Sequence, residues 1–184
     1  MNKIFLDNND LLITNAVEDD KFLRIEGSAA HFGVPNLNGE IVSESSFDEF
    51  FELYSDGKIR PALTYNHDAN MLIGGIDNVY VQNNTLMCKA HINKDIEFCK
   101  NTLIEMILSG DCKSFSTEGF IRYSDIVENE DGTYFASSFM LTAISVTTIP
   151  ADYQSEFTIK NNIERIKQAK IEEAKKQSKW YLIR

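Results

Sequence analysis

Turn-forming residues cut the chain between Phe22 and Pro150 into short runs that alternate apolar and polar side chains, and that rhythm commits most of it to β-structure. FLRIEGSAAHF alternates as a strand, and GVPNLNG (Gly33 to Gly39) is dense enough in turn formers to be a loop. PALTYNH opens on Pro61 as a strand that gives way to the loop DANM at His67. LIGGIDNVYVQ and TLMCKAHI flank Asn83-Asn84 as two strands around a tight turn. CKSFSTEGFIRYS follows, then the polar loop ENEDG, then a long strand TYFASSFMLTAISVTTI ended by Pro150. Two internal stretches carry helical spacing instead. Ser45 or Ser46 caps a short helix bearing Phe47, Phe50, Phe51 and Tyr54, with Gly57 ending it. Residues 94–109 set Ile96, Cys99, Leu103 and Ile107 on one apolar side, and Gly110 stops them.

The expected fold is therefore mainly β with helices (α+β): a mostly antiparallel sheet of six to eight strands, closed or nearly closed into an antiparallel β-barrel. Three parts are expected. Residues 1–21 form an N-terminal segment in which Ile4–Leu6 and Leu11–Ile13 make short strands. Residues 22–159 form the barrel domain, and residues 160–184 a charged C-terminal helix.

Charge is unevenly spread over these parts. Residues 160–184 hold eight Lys/Arg against three Glu, a surplus of +5 that leaves −15 of the net −10 on residues 1–159. An acidic body argues against a nucleic-acid-binding surface, and the basic tail suggests an extension with its own partner. No apolar run reaches bilayer length and the N-terminus has no signal-like apolar region, so an intracellular protein without a membrane partner is expected. Cys88, Cys99 and Cys112 are odd in number and lie in apolar stretches, which fits buried hydrophobes and neither a disulfide framework nor a zinc site. Three dispersed histidines give no metal-ligand cluster, and no phosphate or dinucleotide motif implies a cofactor.

Two residues could carry chemistry. His67 stands at a strand end, where rigid scaffolds present reactive groups, and an imidazole can take and return a proton near neutral pH. Ser116 sits in SFSTEG, and a regular strand there turns Ser114, Ser116 and Glu118 to one face and Phe115 and Thr117 to the other. Taken alone, these fit a half-exposed histidine and a solvated strand face better than they fit a site. A serine becomes a nucleophile only beside a base, and spacing along the chain does not bring the two together. His31 and His91 fit structural strand-end roles, and Glu97 and Glu105 the polar side of the helix.

Four segments, in order, resemble the prohead protease family of tailed phages, whose fold is shared with herpesvirus assembly proteases: GSAAHFGVPNLNGEIVSESSF, PALTYNHDANMLIGGID, MILSGDCKSFSTEGF and LTAISVTTIPAD. The resemblance covers roughly two-thirds of the chain. It implies His67 as general base and Ser116 as nucleophile, with Ser114 where the family tends to have a small residue. Relative to the commoner pattern, Glu118 is inserted ahead of Gly119. The acid that usually precedes the Ile-Ser pair is replaced by Ala143, so Glu118, Asp68 or Asp152 is left to orient the histidine, or the pair works as a dyad; Glu118 is carried as the third member. The resemblance further implies backbone N–H groups near Pro150–Asp152 at the oxyanion and scaffolding protein or the scaffolding segment of the major capsid protein as substrate. It also implies self-processing, homodimers, no cofactor, and action inside the assembling prohead in the host cytoplasm. The alternative is a catalytically impaired relative that serves as a structural or scaffold-binding component.

Overall fold

The computed structural model describes residues 21–159. The expected strands at Ile4–Leu6 and Leu11–Ile13 and the expected helix at 160–184 lie outside the described residues. In chain order the elements are β1 (Phe22–His31), β2 (Glu40–Val42), α1 (Asp48–Ser55), β3 (Ala62–Tyr65), β4 (Asp68–Gln82), β5 (Thr85–Asn93), α2 (Ile104–Ser109), β6 (Ser114–Phe120), β7 (Ile126–Glu128), β8 (Tyr134–Ala136), β9 (Met140–Thr147) and β10 (Phe157–Ile159). Seven strands form one sheet in the order β10-β1-β5-β4-β3-β9-β6, and β2-β8-β7 form a second.

Local chemistry accounts for most of this. Asn83 and Asn84 have φ of 51° and 59°, the left-handed pair that a two-residue hairpin between β4 and β5 demands. The first helix enters through a 3₁₀ turn, Glu44–Phe47, and its entry residue is Ser43, not Ser45 or Ser46: the Ser43 N–H donates to Ser46 Oγ at 2.9 Å. The 94–109 helix is shorter than its periodicity suggests. A π-helical turn, Cys99–Leu103, leads into α2, and Gly110 ends it at φ 86°.

The sheet departs from the expected antiparallel barrel in two ways. First, β3 pairs parallel with β9, and β2 parallel with β8, so the pairing is mixed. β9 is buried on both faces along most of its length, as a central strand with a parallel neighbour must be. Second, the expected long strand 133–149 is broken. Ser46 Oγ donates to the Ala136 carbonyl at 2.7 Å, and Phe139 N–H donates to the Ser46 carbonyl at 2.6 Å. These two bonds turn the chain between β8 and β9 and put them in different sheets. The seven-stranded sheet curls into a half-barrel, and one backbone bond, from Phe157 N–H to the Lys113 carbonyl (2.8 Å), links its β10 end to the residue before β6. β10, which brings that edge round, had no signal of its own in the sequence.

Leu23, Ile25, Leu86, Ile92 and Phe115 fill the curl, with Phe47 packed between Phe32 and Phe139 at centroid distances of 5.8 and 5.2 Å. Each fully buried side chain of this size contributes about 1.5–3 kcal/mol. Cys88, Cys99 and Cys112 are all buried and free, and burial pushes the thiols of Cys99 and Cys112 up to about 11. Native protein at neutral pH should therefore resist thiol reagents at all three positions, and denatured protein should titrate all three. Fast modification of the native chain would contradict this core. β10 lies so close to Gly27 that a Cβ there would stand 2.0 Å from the Glu156 carbonyl oxygen. Gly27→Ala should lower stability by about 1–3 kcal/mol in urea denaturation.

Candidate active site

β3 and β4 are joined by a two-residue turn, Asn66-His67, with φ of 49° and 59°. DANM, expected as a loop, is instead the start of β4. The histidine therefore sits at the tip of a hairpin in a left-handed conformation that costs a non-glycine residue on the order of 1–3 kcal/mol and needs surrounding contacts to hold it. Those contacts come from β9. Asn66 N–H donates to the Val146 carbonyl at 3.1 Å, and His67 N–H donates to Ser145 Oγ at 2.8 Å.

Sheet register supplies the rest. Thr64 of β3 is paired with Ser145 of β9, and Ser145 with Ser116 of β6, so three hydroxyl residues form a row across three neighbouring strands. In the adjacent row Ala62 pairs with Ala143, and Ala143 with Glu118. Side chains two apart on a strand share a face, so Ser116 and Glu118 project together. A β-bulge falls between Glu118 and Gly119, which is the structural form of one inserted residue.

Glu118 Oε1 lies 2.9 Å from Thr64 Oγ1 and 3.2 Å from His67 Nδ1. To reach β3 from β6 the side chain must pass over β9, a span of roughly 10 Å between alternate strands. The residue it passes is Ala143, whose methyl group leaves the way open. Glu118, the residue paired with Ala143, is thus the carboxylate that stands beside the His67 ring.

Proton counting fixes the direction of each bond. Thr64 has one hydroxyl proton, and a carboxylate can only accept, so that proton goes to Glu118. Across the 3.2 Å contact between Thr64 Oγ1 and Ser145 Oγ, Ser145 is then the donor, while its oxygen accepts the His67 N–H. The hydrogen-bonded circuit runs from the His67 backbone through Ser145 and Thr64 to Glu118, whose Oε1 faces the His67 ring at 3.2 Å without an aligned hydrogen bond. A carboxylate at that position favours the tautomer protonated at Nδ1, with the lone pair on Nε2.

Ser116 is 1 % exposed, and its hydroxyl accepts the Ala151 N–H at 3.5 Å. Among the described residues no hydrogen bond joins Ser116 to His67; Ser145 stands between them, bonded to the His67 backbone and paired with Ser116. Beside Ser116 is a cavity of about 20 Å³ lined in part by Ala30, Phe47, Phe139, His31 and Asp152, with room for little more than one water-sized group.

The other candidates fall elsewhere. Asp68 is engaged by the Asn70 N–H at 2.8 Å, and Asp152 faces His31, with Oδ2 at 2.7 Å from Nδ1. His91 pairs with Asp77 at 2.6 Å on the outer face of β4 and β5, and Ser114 is buried opposite Thr147. Glu97 and Glu105 are exposed on their helix. Among the described residues no group of three or more His, Cys, Asp and Glu is placed to hold a metal ion, and no helix is long and apolar enough to cross a membrane. Thr64 and Ser145 were not picked out from the sequence; the signal available was a small hydroxyl residue set among apolar ones in each of two strand runs, PALTY and AISV.

Because the circuit leaves no spare partners, breaking it should be visible as lost stability. Thr64→Val strands the buried Ser145 hydroxyl without an acceptor and should cost about 1–3 kcal/mol in chemical denaturation, whereas Thr64→Ser should cost much less. Equal effects of the two changes would contradict a bonded Thr64 hydroxyl.

Comparison with known proteins bears on the family and the fold. No curated protein matches the sequence. Among solved structures, the capsid assembly protease of bacteriophage T4 is similar at 16 % identity and a TM-score of 0.55, over 67 % of this chain and 80 % of that one. The varicella-zoster virus protease is similar at 8 % identity and a TM-score of 0.47, over 76 % and 64 % of the two chains. The KSHV protease bound to a hexapeptide phosphonate inhibitor is similar at 10 % and 0.44, over 76 % and 65 %. The family model described as caudovirus prohead serine protease matches residues 11–170, most of the sequence, and the chain belongs to that family.

Proposed function

We propose that the chain is a serine endopeptidase of capsid maturation, with Ser116 as nucleophile, His67 as general base and Glu118 as the acid that orients it. The observation that carries this reading is the 3.2 Å approach of Glu118 Oε1 to His67 Nδ1, made by a carboxylate on the same strand face as Ser116. With Nδ1–H directed to Glu118 in the working enzyme, the Nε2 lone pair is the one available to take the serine proton. Ser116 Oγ then attacks a peptide carbonyl, and the imidazolium formed gives its proton to the leaving amine. Water repeats the sequence to release the acyl group. The Ala151 N–H, already directed at Ser116 Oγ, is suited to receive the negative charge that develops on the carbonyl oxygen. Catalytic hydrogen bonds are often long or unmade before substrate binds, so the missing Ser116–His67 bond is compatible with this role. Burial of Ser116 means that peptide binding has to open a path to it.

Substrates on this reading are scaffolding protein or the scaffolding segment of the major capsid protein, cut inside the prohead, together with the chain itself. Cleavage is irreversible and drives assembly forward as the scaffold leaves. The burial of Ser116 also favours a second reading, a catalytically impaired relative that is kept in the particle as a scaffold-binding component.

Co-expression with the capsid and scaffolding proteins, followed by mass spectrometry of the products, separates the two. Wild type should process its partners, and Ser116→Ala and His67→Ala should not. Glu118→Ala should slow processing by up to about four powers of ten, as loss of an orienting acid can. Adding Ala143→Asp to Glu118→Ala should restore part of it. Processing that persists in both alanine variants rejects the assignment; incorporation without any processing by wild type favours the second reading.

A further inference from the structure

β1 ends at His31 beyond the reach of β10, whose pairing with β1 covers Ile25 to Gly27. The Asp152 carboxylate occupies that edge. Its Oδ2 accepts the His31 backbone N–H at 2.7 Å, approaches the His31 ring Nδ1 at 2.7 Å, and accepts the Ser155 hydroxyl at 3.1 Å. Its Oδ1 accepts the Gln154 N–H at 3.0 Å. A carboxylate only 15 % exposed is thereby fully partnered, and the ring nitrogen facing it must carry a proton whether the imidazole is neutral or charged.

This tie sits one residue from the peptide that touches the nucleophile. Ala151 donates its N–H to Ser116 Oγ at 3.5 Å and accepts the Leu37 N–H on its carbonyl at 2.8 Å. Pro150 precedes it with a fixed φ. The amide is therefore held from behind by Pro150, through its carbonyl by the loop before β2, and in front by Asp152. Of these holds, the carboxylate is anchored through two donors to a residue of the main sheet. An oxyanion donor is effective only when it is fixed before charge develops, because a donor that must reorganise gives back what it gains.

We propose that His31 and Asp152 are positioning residues that hold the Ala151 N–H as the oxyanion donor for acyl transfer at Ser116. The proposal rests on the reading of Ser116 as nucleophile. It also sets His31 apart from a rival role: the ring lines the same cavity as Ser116, and a His31–Asp152 pair could instead serve as the base.

The test uses the full chain and a fluorophosphonate probe, which needs no knowledge of the substrate. Ser116 Oγ forms the bond to phosphorus, the P–F bond breaks, fluoride departs, and the serine proton goes to His67. His31→Phe and Asp152→Ala, checked for an unchanged fold by circular dichroism, should label about tenfold to a hundredfold more slowly than wild type, a loss somewhat below that for deleting an oxyanion donor. His31→Asn places an amide N–H near the position of Nδ1 and should restore labelling to within about twofold of wild type. Wild-type rates in His31→Phe overturn the proposal, and loss of labelling in His31→Asn as complete as in His67→Ala makes His31 the base and overturns it too. Hydrogen exchange at the Ala151 amide, followed by NMR, reads the clamp without turnover. It should accelerate about tenfold or more in His31→Phe and Asp152→Ala but not in His31→Asn, and unchanged exchange rejects the clamp whatever the labelling. No labelling of wild type above Ser116→Ala removes the nucleophile, and the oxyanion role with it, even where exchange shows the clamp to hold the amide.

Discussion

The parallel pairing of β3 with β9 is the constraint on which the site depends. It sets Thr64 beside Ser145, which is itself paired with Ser116, and so brings residues 64, 116 and 145 into one row from three separate parts of the chain. A one-residue slip in either pairing would turn one of these hydroxyl groups to the opposite face of the sheet. The same pairing carries the Asn66-His67 turn onto the end of β9, where the Ser145 hydroxyl and the Val146 carbonyl take its two N–H groups. A left-handed histidine at a hairpin tip is held by that register.

Within this frame Glu118, paired with Ala143, brings its carboxylate to the His67 ring. Where the family resemblance implies an acid on β9 the chain has Ala143, and on the proposed reading the carboxylate comes instead from the residue paired with it on β6. Three local features make the exchange workable. The bulge after Glu118 absorbs the added residue, the small Ala143 side chain clears the path, and Thr64 supplies a proton to hold the carboxylate against β3. Each is modest alone. Together they keep a carboxylate near His67 Nδ1.

Much of the fold was legible because it is local. The Asn83-Asn84 hairpin, the β1 strand and the Gly57 and Gly110 helix ends follow from turn chemistry and periodicity over a few residues. What the sequence hid was non-local. The break between β8 and β9 is imposed by Ser46, some ninety positions away, and the parallel pairings have no signature within a strand. The site divides along the same line. His67, Ser116 and Glu118 could be nominated from the chain, since the family likeness and the two-residue strand period act over short segments. The choice among Glu118, Asp68 and Asp152 depended on side chains from different strands, and so did the parts played by Thr64 and Ser145. His31 read as structural in the sequence, and its tie to Asp152 gives that role a definite content.

The central claim is that Glu118 holds His67 as the Nδ1–H tautomer with its Nε2 lone pair free for Ser116. Nitrogen-15 NMR of the protein labelled at histidine reads that tautomer directly. The account predicts, for neutral His67, a protonated Nδ1 and an unprotonated Nε2, a pattern that Glu118→Ala should erase. A His67 ring protonated at Nε2 in the wild type, or one whose tautomer ignores Glu118, would contradict it.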